Sequence, residues 1–273
     1  MKLLLALIFI TSAHAQIIRD PKPRIQVPPR GGSQRPSGYT PPPRVGTSPS
    51  NWNVPKPNLK LMFGASTTPT GIILDEEWKV KLNQYALKNV VHPSWGYSHS
   101  ERNYHNTKLI ASASGIEVDE DVLLASSFLH DLGGLPGFEK EGVDHGLRSA
   151  QLSVPLLRSW GFPEEKLSLV EEVMINHVYY GVASQSEISK AFRDADMLDF
   201  LGPMGVARLV AAVMDMGNPV SIGNSIEAVE QMQKKLPGQF SYKFSKMEGE
   251  KRIRESKEFL KKLEEYSFKR KAY

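Results

Sequence analysis

Residues 122–131 read VLLASSFLHD, an apolar run that ends in an adjacent histidine and aspartate, His130 and Asp131. The run is typical of a buried helix, so the last two side chains are predicted to lie where the helix meets the core. Imidazole and carboxylate groups are costly to bury unless they are paired or coordinated. A metal ion is the strongest partner for such a pair, and the doublet therefore indicates a candidate metal site.

Four other side chains in this half of the chain are candidate ligands: His99, His145, His177 and Asp196. Arg102 follows His99 by three residues, so the two share a helix face, and the arginine could hold an anionic group. A ligand or substrate-facing histidine would then have a cation beside it.

A second acidic segment is RDADMLDF, residues 193–200. Asp196 and Asp199 are three residues apart and share a helix face, and Asp194 lies close to them. Three acids beside apolar residues would repel each other without a cation. The segment therefore strengthens the prediction of a metal site.

Beyond residue 60 the hydrophobic periodicity is mostly helical, with Asp119 and Ser186 as N-caps and Gly115 and Gly161 as helix stops. No convincing series of strands is present. The predicted fold class is all-α, a compact helical domain over residues 60–273 that ends in a charged helical extension. A first helix is predicted from about Asp75, followed by Tyr97–Ser114, Asp121–Leu129, Leu152–Trp160, Lys166–Tyr180, Ser186–Leu201, Gly205–Met216, Ile226–Lys235 and Lys246–Tyr266.

The first 59 residues predict two appendages. Residues 1–15 have the positive start, apolar stretch and small final residues of a secretory signal peptide, with cleavage after Ala15. Residues 16–59 are rich in proline and predict a disordered tether. We therefore expect a periplasmic or secreted protein.

Charge and composition exclude several classes. Residues 16–60 carry 8 basic residues and 1 acidic residue, whereas residues 61–273 carry 25 basic and 29 acidic residues. The net charge of +4 therefore comes from the N-terminal tail, residues 16–60. The tail either attracts an anionic surface polymer or is a solvated spacer. Acidic residues cancel the basic ones in the C-terminal helix, so specific nucleic-acid binding is not expected. The chain has no cysteine for a disulfide, and no segment approaches the roughly 20 apolar residues of a transmembrane helix.

The chain contains, in order, the motifs H-x-x-R and H-D, two later histidines and the motif A-D-x-x-D. Over roughly residues 78–265 this order resembles the HD-domain superfamily of metal-dependent phosphohydrolases. The resemblance implies a divalent transition metal, as one or two ions, and a small phosphorylated substrate. It implies as metal ligands His99, His130, Asp131 and Asp196, with His145 and His177 added where a second ion is bound. His105, six residues after His99, is interpreted as a surface or pocket histidine.

Mixed histidine and carboxylate ligands suit Mn, Fe, Zn, Ni or Co better than Mg. Such an ion activates water and polarises a phosphoryl oxygen. The candidate catalytic residues are Asp131, which would orient the water, Arg102, which would stabilise negative charge, and Glu139, as a general acid or base. Arg193 and Lys140 are weaker candidate cations. A surface salt bridge is the simpler interpretation of each cation, and a solvated loop charge is the simpler interpretation of Glu139.

Two alternatives stay open. The chain is also similar to cyanamide-hydratase-like members of the same fold, which hydrate a nitrile. This similarity lies in residues 99–104, residues 129–133 and Phe138-Glu139. His145 and His177 favour phosphoester chemistry, because a second ion is more useful there. A non-catalytic exported binding module is the other alternative, and neither the substrate nor the oligomeric state follows from the sequence.

Overall fold

The computed structural model describes residues 66–215, 222–267 and 269. The predicted signal peptide and tether, residues 1–59, lie outside the described residues. The helices are α1 Glu77–Asn89, α2 Tyr97–Ser114, α3 Glu120–Leu129, α4 His145–Trp160, α5 Leu167–Asn176, α6 Glu187–Asp199, α7 Gly202–Asp215, α8 Ile222–Lys235 and α9 Lys243–Tyr266. Short 3₁₀ helices cover Leu132–Gly134, Glu164–Lys166 and Pro237–Gln239. The fold is therefore all-α, as predicted, apart from one small hairpin.

That hairpin pairs β1, Ser66–Thr67, with antiparallel β2, Ile73–Leu74. The sequence showed no convincing series of strands, and two-residue strands are too short to produce an alternating pattern. Glu101 of α2 is buried and accepts hydrogen bonds from the Thr70 backbone N–H and hydroxyl. The hairpin is thereby held against α2.

Local sequence explains the ends of the helices that carry the site. The Asp119 carboxylate accepts from the backbone N–H groups of Asp121 and Val122, which caps α3. Gly115 ends α2 in the left-handed conformation, with φ of 66°. Ser186 caps α6 through the Ser189 N–H, as predicted.

Several helix boundaries differ from the prediction by two or more residues, and two of these differences concern predicted ligands. Helix α4 begins at His145 rather than Leu152, because Asp144 caps it by accepting from the Gly146 N–H. Helix α5 ends at Asn176 rather than Tyr180, and His177 is its C-terminal cap residue. Both changes place a predicted ligand at a helix end.

The buried apolar side chains form two clusters. The first lies among α1, α3, α4 and α5 and includes Leu82, Phe128 and Met174. The second lies among α6 to α9 and includes Met197 and Leu260. Helices α2 and α6 pack side by side, and the polar site forms where α2, α3 and α6 meet. Among the described residues, no helix combines the length and apolar character needed to cross a membrane.

Candidate metal centre

The doublet occupies the end of the buried helix, as its sequence predicts. Residues 122–129 are all buried, so α3 is fixed in the core. His130 is the C-terminal cap residue of α3, and Asp131 precedes the 3₁₀ helix Leu132–Gly134. The His130 side chain is 1% exposed and that of Asp131 is 16% exposed. The pair therefore lies at the boundary between the core and an opening.

Helices α2, α3 and α6 bring four ligand atoms together. His99 Nε2 lies 3.2 Å from His130 Nε2, 3.2 Å from Asp196 Oδ1 and 3.4 Å from Asp131 Oδ2. His130 Nε2 lies 3.2 Å from Asp131 Oδ2. We call His99, His130, Asp196 and Asp131 Oδ2 the first ligand group.

A second group forms on the other side of Asp131. His145 Nε2 lies 3.0 Å from His177 Nε2, and each lies 3.5 Å from Asp131 Oδ1. Burial lowers the pKa of His177, but the Asp131 carboxylate outweighs burial and raises it. We call His145, His177 and Asp131 Oδ1 the second ligand group. Asp131 thus presents one oxygen to each group, which is the arrangement of a bridging carboxylate.

The hydrogen bonds of the histidines determine which ring nitrogens face the groups. His130 Nδ1 lies 3.0 Å from the Ser127 carbonyl, and His177 Nδ1 lies 2.6 Å from the Met174 carbonyl. A carbonyl only accepts, so both Nδ1 atoms carry the proton and both Nε2 atoms present a lone pair. Neutral imidazole with an inward lone pair is the form that binds a metal, so this donor set fits a divalent ion.

His145 is held by two groups that the sequence did not single out. Its Nδ1 lies 3.1 Å from the Tyr180 hydroxyl, which donates to Asp144 Oδ2 at 2.7 Å. Since the hydroxyl proton points to Asp144, His145 Nδ1 donates to the phenol oxygen, and its Nε2 lone pair faces His177. The chain from Asp144 through Tyr180 to His145 orients the second ligand group.

Asp199 holds the first ligand group from behind. Its Oδ2 lies 2.7 Å from His99 Nδ1 and 2.9 Å from Arg208 Nη1, and Arg102 donates to both carboxylate oxygens. Burial raises the pKa of Asp199, but Arg208, His99 and Arg102 outweigh burial and hold it well below its usual range. Arg102 therefore contacts a carboxylate that orients His99, instead of lying beside His99 as an unengaged cation.

Burial disfavours the charged form of the groups in the cluster, yet nearby opposite charges determine the direction of most of their pKa shifts. Burial lowers the pKa of His99, but Asp131, Asp196 and Asp199 raise it to about 9. Burial raises the pKa values of Asp131 and Asp196, whereas neighbouring histidines hold both below the usual range. The carboxylates are ionised at neutral pH, so the cluster attracts positive charge, which a metal ion supplies more completely than a proton does.

Two glycines allow the close approach of backbone that forms the second group. A Cβ on Gly146 would lie 2.6 Å from the Met174 carbonyl oxygen and 3.4 Å from His177 Cε1. A Cβ on Gly133 would lie 2.5 Å from the Ser149 N and 2.6 Å from the His145 carbonyl oxygen. Contacts this short exclude a side chain, so both positions require glycine.

Exposure shows from which side the cluster is reached. The side chains of His99, His130 and His177 are 1% exposed, whereas those of His145 and Asp131 are 11% and 16% exposed. Tyr180 is 36% exposed beside His145. Among the ligand residues, solvent therefore reaches most readily Asp131 and the second ligand group.

Other predicted candidates lie elsewhere. Glu139 and Lys140 are exposed in the loop before α4, and the described residues show no contact between them and the ligand groups. Arg193 donates to the carbonyls of Tyr179 and Gly181, so it fixes the chain after α5. His105 lies 2.8 Å from the Thr70 hydroxyl near the hairpin, away from the ligand groups.

The sequence analysis missed Asn103, which lies four residues after His99 on the same face of α2. Its side chain is fully buried, and Nδ2 lies 3.3 Å from His130 Nε2 and 3.4 Å from Asp196 Oδ1. Arg208, Tyr180 and Asp144 were also missed. The spacing of Asn103 from His99 was a usable signal, whereas the others reach the site through distant contacts.

Comparison with known proteins gives the family of the central region. Residues 96–201 match the family model of the HD domain. The match begins just before α2 and ends just after α6, so it spans every residue of both ligand groups. No match was found among the curated proteins.

Solved structures agree on the fold. Bacillus subtilis YpgQ in complex with ADP covers 68% of this chain and 93% of its own, with 15% identity and a TM-score of 0.53. A Lactobacillus plantarum protein covers 70% and 97%, with 17% identity and a TM-score of 0.54. At these identities the comparison concerns the fold alone.

Proposed function

Because residues 96–201 match the family model of the HD domain, we propose that this chain is a metal-dependent phosphohydrolase that acts on a small phosphoester or nucleotide-like substrate. The observation that carries the proposal is the position of Asp131 between the two ligand groups, with Oδ2 toward His99 and His130 and Oδ1 toward His145 and His177. Two adjacent cation sites that share a carboxylate suit phosphoryl displacement, where both the attacking and leaving oxygens carry charge.

The residues that would hold the metal are His99, His130, Asp131 and Asp196 for a first ion, and His145, His177 and Asp131 for a second. When bound, divalent ions of this kind lower the pKa of water and polarise phosphoryl oxygens. The mixed nitrogen and oxygen donors suit Mn, Fe, Zn, Ni or Co.

The protein's own contribution begins with orientation. Asp199, the Ser127 carbonyl and the Met174 carbonyl accept from the Nδ1 atoms of the buried histidines, so these rings cannot turn away from the cluster. The Asp131 side chain is 16% exposed, more than that of any other ligand residue. Its carboxylate would therefore orient an incoming water molecule. Phe192 of α6 lies against the rings of His130 and His177, so the floor of the site beneath these ligands is apolar.

Arg102 has a narrower role than the sequence indicates. Its Nε and Nη2 donate to Asp199, so its charge first stabilises the carboxylate that orients His99. The side chain is 29% exposed, so it also contributes positive potential near the cluster. We propose Arg102 as a positioning residue with a secondary effect on an anionic substrate. Glu139 is exposed in the loop before α4, so nothing in its position supports a catalytic role.

Crystallised YpgQ contains ADP, which makes nucleotides a reasonable starting class for this chain. A screen would offer nucleoside di- and triphosphates, phosphomonoesters and pyrophosphate to the full chain loaded with each candidate metal. We expect phosphate release from at least one of these, reduced by two or more orders of magnitude in Asp131→Asn. Lys140→Ala, a change of an exposed loop residue, is the matched control and should leave turnover unchanged.

The alternative is a cyanamide-hydratase-like reaction, which needs only one ion. Binding of a single ion, together with nitrile hydration and no phosphate release, would contradict the phosphohydrolase proposal and support the hydratase. Failure to bind any of the five metals would contradict both and support a non-catalytic module.

Export is a further part of the proposal and rests on residues 1–15 alone. Under it, the mature chain begins at Gln16 and is found in the periplasm or the medium. N-terminal sequencing of the protein recovered from cell fractions tests this. An intact Met1 on cytoplasmic protein would contradict it.

A further inference from the structure

Asn103 places one end of its side-chain amide among the atoms of the first ligand group. Nδ2 lies 3.5 Å from His99 Nε2, 3.3 Å from His130 Nε2 and 3.4 Å from Asp196 Oδ1. The side chain is fully buried. A hydrogen bond to one ligand would be ordinary, but near-equal distances to three of them indicate a position in the group itself.

These distances resemble those between the ligands of one ion. With metal–ligand bonds of about 2.1 Å, two ligands are roughly 3.0 Å apart at a right angle and roughly 3.4 Å apart at a tetrahedral angle. The separations within the first group, from His99 to His130, Asp196 and Asp131, are 3.2, 3.2 and 3.4 Å. The amide end of Asn103 therefore occupies one more vertex of the same polyhedron.

The oxygen end of the Asn103 amide is unpaired in its present orientation. Oδ1 of Asn103 is buried and has no hydrogen-bond partner among the residues that the structure describes. An unpaired buried carbonyl is unfavourable, because it has lost its hydrogen bonds to water and gained none in return. The two ends of an asparagine amide are interchangeable by a half-turn about the last side-chain torsion, and that orientation is an assignment made from the hydrogen bonds around it.

A cation in the first ligand group would favour the opposite orientation of the Asn103 amide. An amide NH2 has no lone pair to offer and its hydrogens are repelled by positive charge, whereas the amide oxygen is a regular ligand of divalent ions. The half-turn brings Oδ1 to the vertex that Nδ2 holds now.

We propose that Asn103 is a ligand of the first ion through its side-chain oxygen, in addition to His99, His130, Asp131 and Asp196. The proposal rests on the proposed metal-dependent function. It differs in that it concerns coordination and holds whatever the substrate is. An amide oxygen adds a neutral, hard donor beside two imidazoles and two carboxylates, which raises the coordination number without adding charge.

The test uses Co²⁺ alone as the probe, with the full chain in a His177→Ala background, so that the first ligand group is measured separately from the second. Asn103→Leu keeps the approximate size of the side chain and removes the oxygen. We expect Co²⁺ affinity to fall by roughly tenfold to a hundredfold, with a changed visible absorption spectrum. Asn103→Asp should restore tight binding, because its carboxylate supplies an oxygen at the same vertex.

Thr107→Val is the matched control. Thr107 is also fully buried on α2, one turn after Asn103. Its hydroxyl donates to the backbone carbonyl oxygen of Asn103, away from the ligand atoms. Its replacement should reduce stability without changing Co²⁺ affinity or the spectrum. Circular dichroism of each variant shows whether α2 remains folded.

A crystal structure of the Co²⁺-loaded wild-type chain supplies a second, independent measurement if Asn103→Leu does not fold. Oδ1 within bonding distance of the ion supports the proposal. An amide that stays beyond bonding distance, or an Asn103→Leu protein with wild-type affinity and spectrum, overturns it and leaves the hydrolase proposal intact. A wild-type chain that binds no Co²⁺ overturns both, whereas bound ions without phosphate release overturn only the hydrolase.

Discussion

His99 Nδ1 and Asp199 Oδ2 are 2.7 Å apart in a contact that is almost wholly buried, since the side chains are 1% and 2% exposed. The carboxylate fixes the proton on Nδ1 and so directs the Nε2 lone pair toward the first ligand group. The same carboxylate neutralises Arg208, which is 3% exposed. One residue therefore links the charge balance of α6 and α7 to the orientation of a ligand on α2.

Asp199→Asn should weaken metal binding and destabilise the fold together. Removing the charge leaves Arg208 buried with its partner lost, which costs about 3–5 kcal/mol. The amide no longer requires a proton on His99 Nδ1, so we expect affinity for the first ion to fall roughly tenfold to a hundredfold. Metal titration and urea unfolding measure the two effects.

Asp194→Asn is the control for this change. Asp194 is also a buried acid on α6, but it accepts from the backbone N–H groups of Ser241 and Tyr242, away from the ligand groups. The variant should lose stability and keep its metal affinity. Equal losses of metal affinity in both variants would mean that Asp199 acts only through stability.

Gly146→Ala should disable the second ligand group selectively. The added Cβ would meet the Met174 carbonyl oxygen at 2.6 Å and His177 Cε1 at 3.4 Å, so the start of α4 must move away from the end of α5. His145 and His177 would separate while His99, on another helix, stays in place. We expect the number of tightly bound ions to fall from two to one, as measured by mass spectrometry after dialysis.

Gly161→Ala separates this effect from the loss of a helical glycine in general. Gly161 also lies at an end of α4, with φ of 89°, and nothing lies within 4 Å of an added Cβ. The strained backbone should cost about 1–2 kcal/mol and leave two ions bound. A Gly146→Ala protein that still binds two ions would contradict the assignment of His145 and His177 to one site.

The sequence predicts the helices that have strong local signals. Tyr97–Ser114 was predicted with the bounds that α2 has, because Gly115 supplies a clear helix stop. The start of α4 was placed at Leu152 because the apolar pattern begins there, although the true start depends on the Asp144 cap. Capping by a single side chain is a weaker signal than a run of apolar residues.

Residues whose role depends on distant contacts were beyond the sequence pattern. Arg208 reaches Asp199 from α7, and its Nε donates to the Ser94 carbonyl before α2. Gly146 is required only because the end of α5 passes beside it. Nothing in the residues next to either one indicates these contacts, since they follow from the packing of helices that are far apart in sequence.

Asp119 should make the stability of α3 depend on pH. Burial raises its pKa, but Lys166 and the capped backbone N–H groups outweigh burial and lower it. A group whose folded pKa is depressed stabilises the fold above its unfolded pKa, near 4, and loses that contribution as pH falls through the folded pKa. Wild-type stability should therefore decline as pH falls below about 4.

Asp119→Asn isolates the charge, because asparagine is an equally good N-cap. The variant should be less stable than wild type at neutral pH, and the difference should shrink as pH falls. Asp119→Ala loses the cap as well as the charge, so it should be less stable than Asp119→Asn by about 1 kcal/mol at every pH. Thermal unfolding across a pH series measures all three, and a constant difference between wild type and Asp119→Asn would contradict a role for the charge.

Asp131, as the carboxylate shared by both groups, should be distinguishable from ligands that belong to one group. Asp131→Ala removes Oδ2 from the first group and Oδ1 from the second, so we expect both ions to bind more weakly. Asp196→Asn should weaken only the first, since Asp196 Oδ1 faces His99. His177→Ala should weaken mainly the second, because His177 Nε2 lies nearest to His145 Nε2 and Asp131 Oδ1, although its ring also packs against that of His130.

Stoichiometric titration with Mn²⁺, followed by electron paramagnetic resonance, separates these cases. Two ions that share a carboxylate couple magnetically, so the wild-type spectrum should differ from the sum of two isolated ions. The coupling should vanish in Asp196→Asn and His177→Ala, each with one ion remaining. Independent loss of one ion in Asp131→Ala, with the other unchanged, would show that Asp131 serves a single group and that the cluster is not a shared-carboxylate centre.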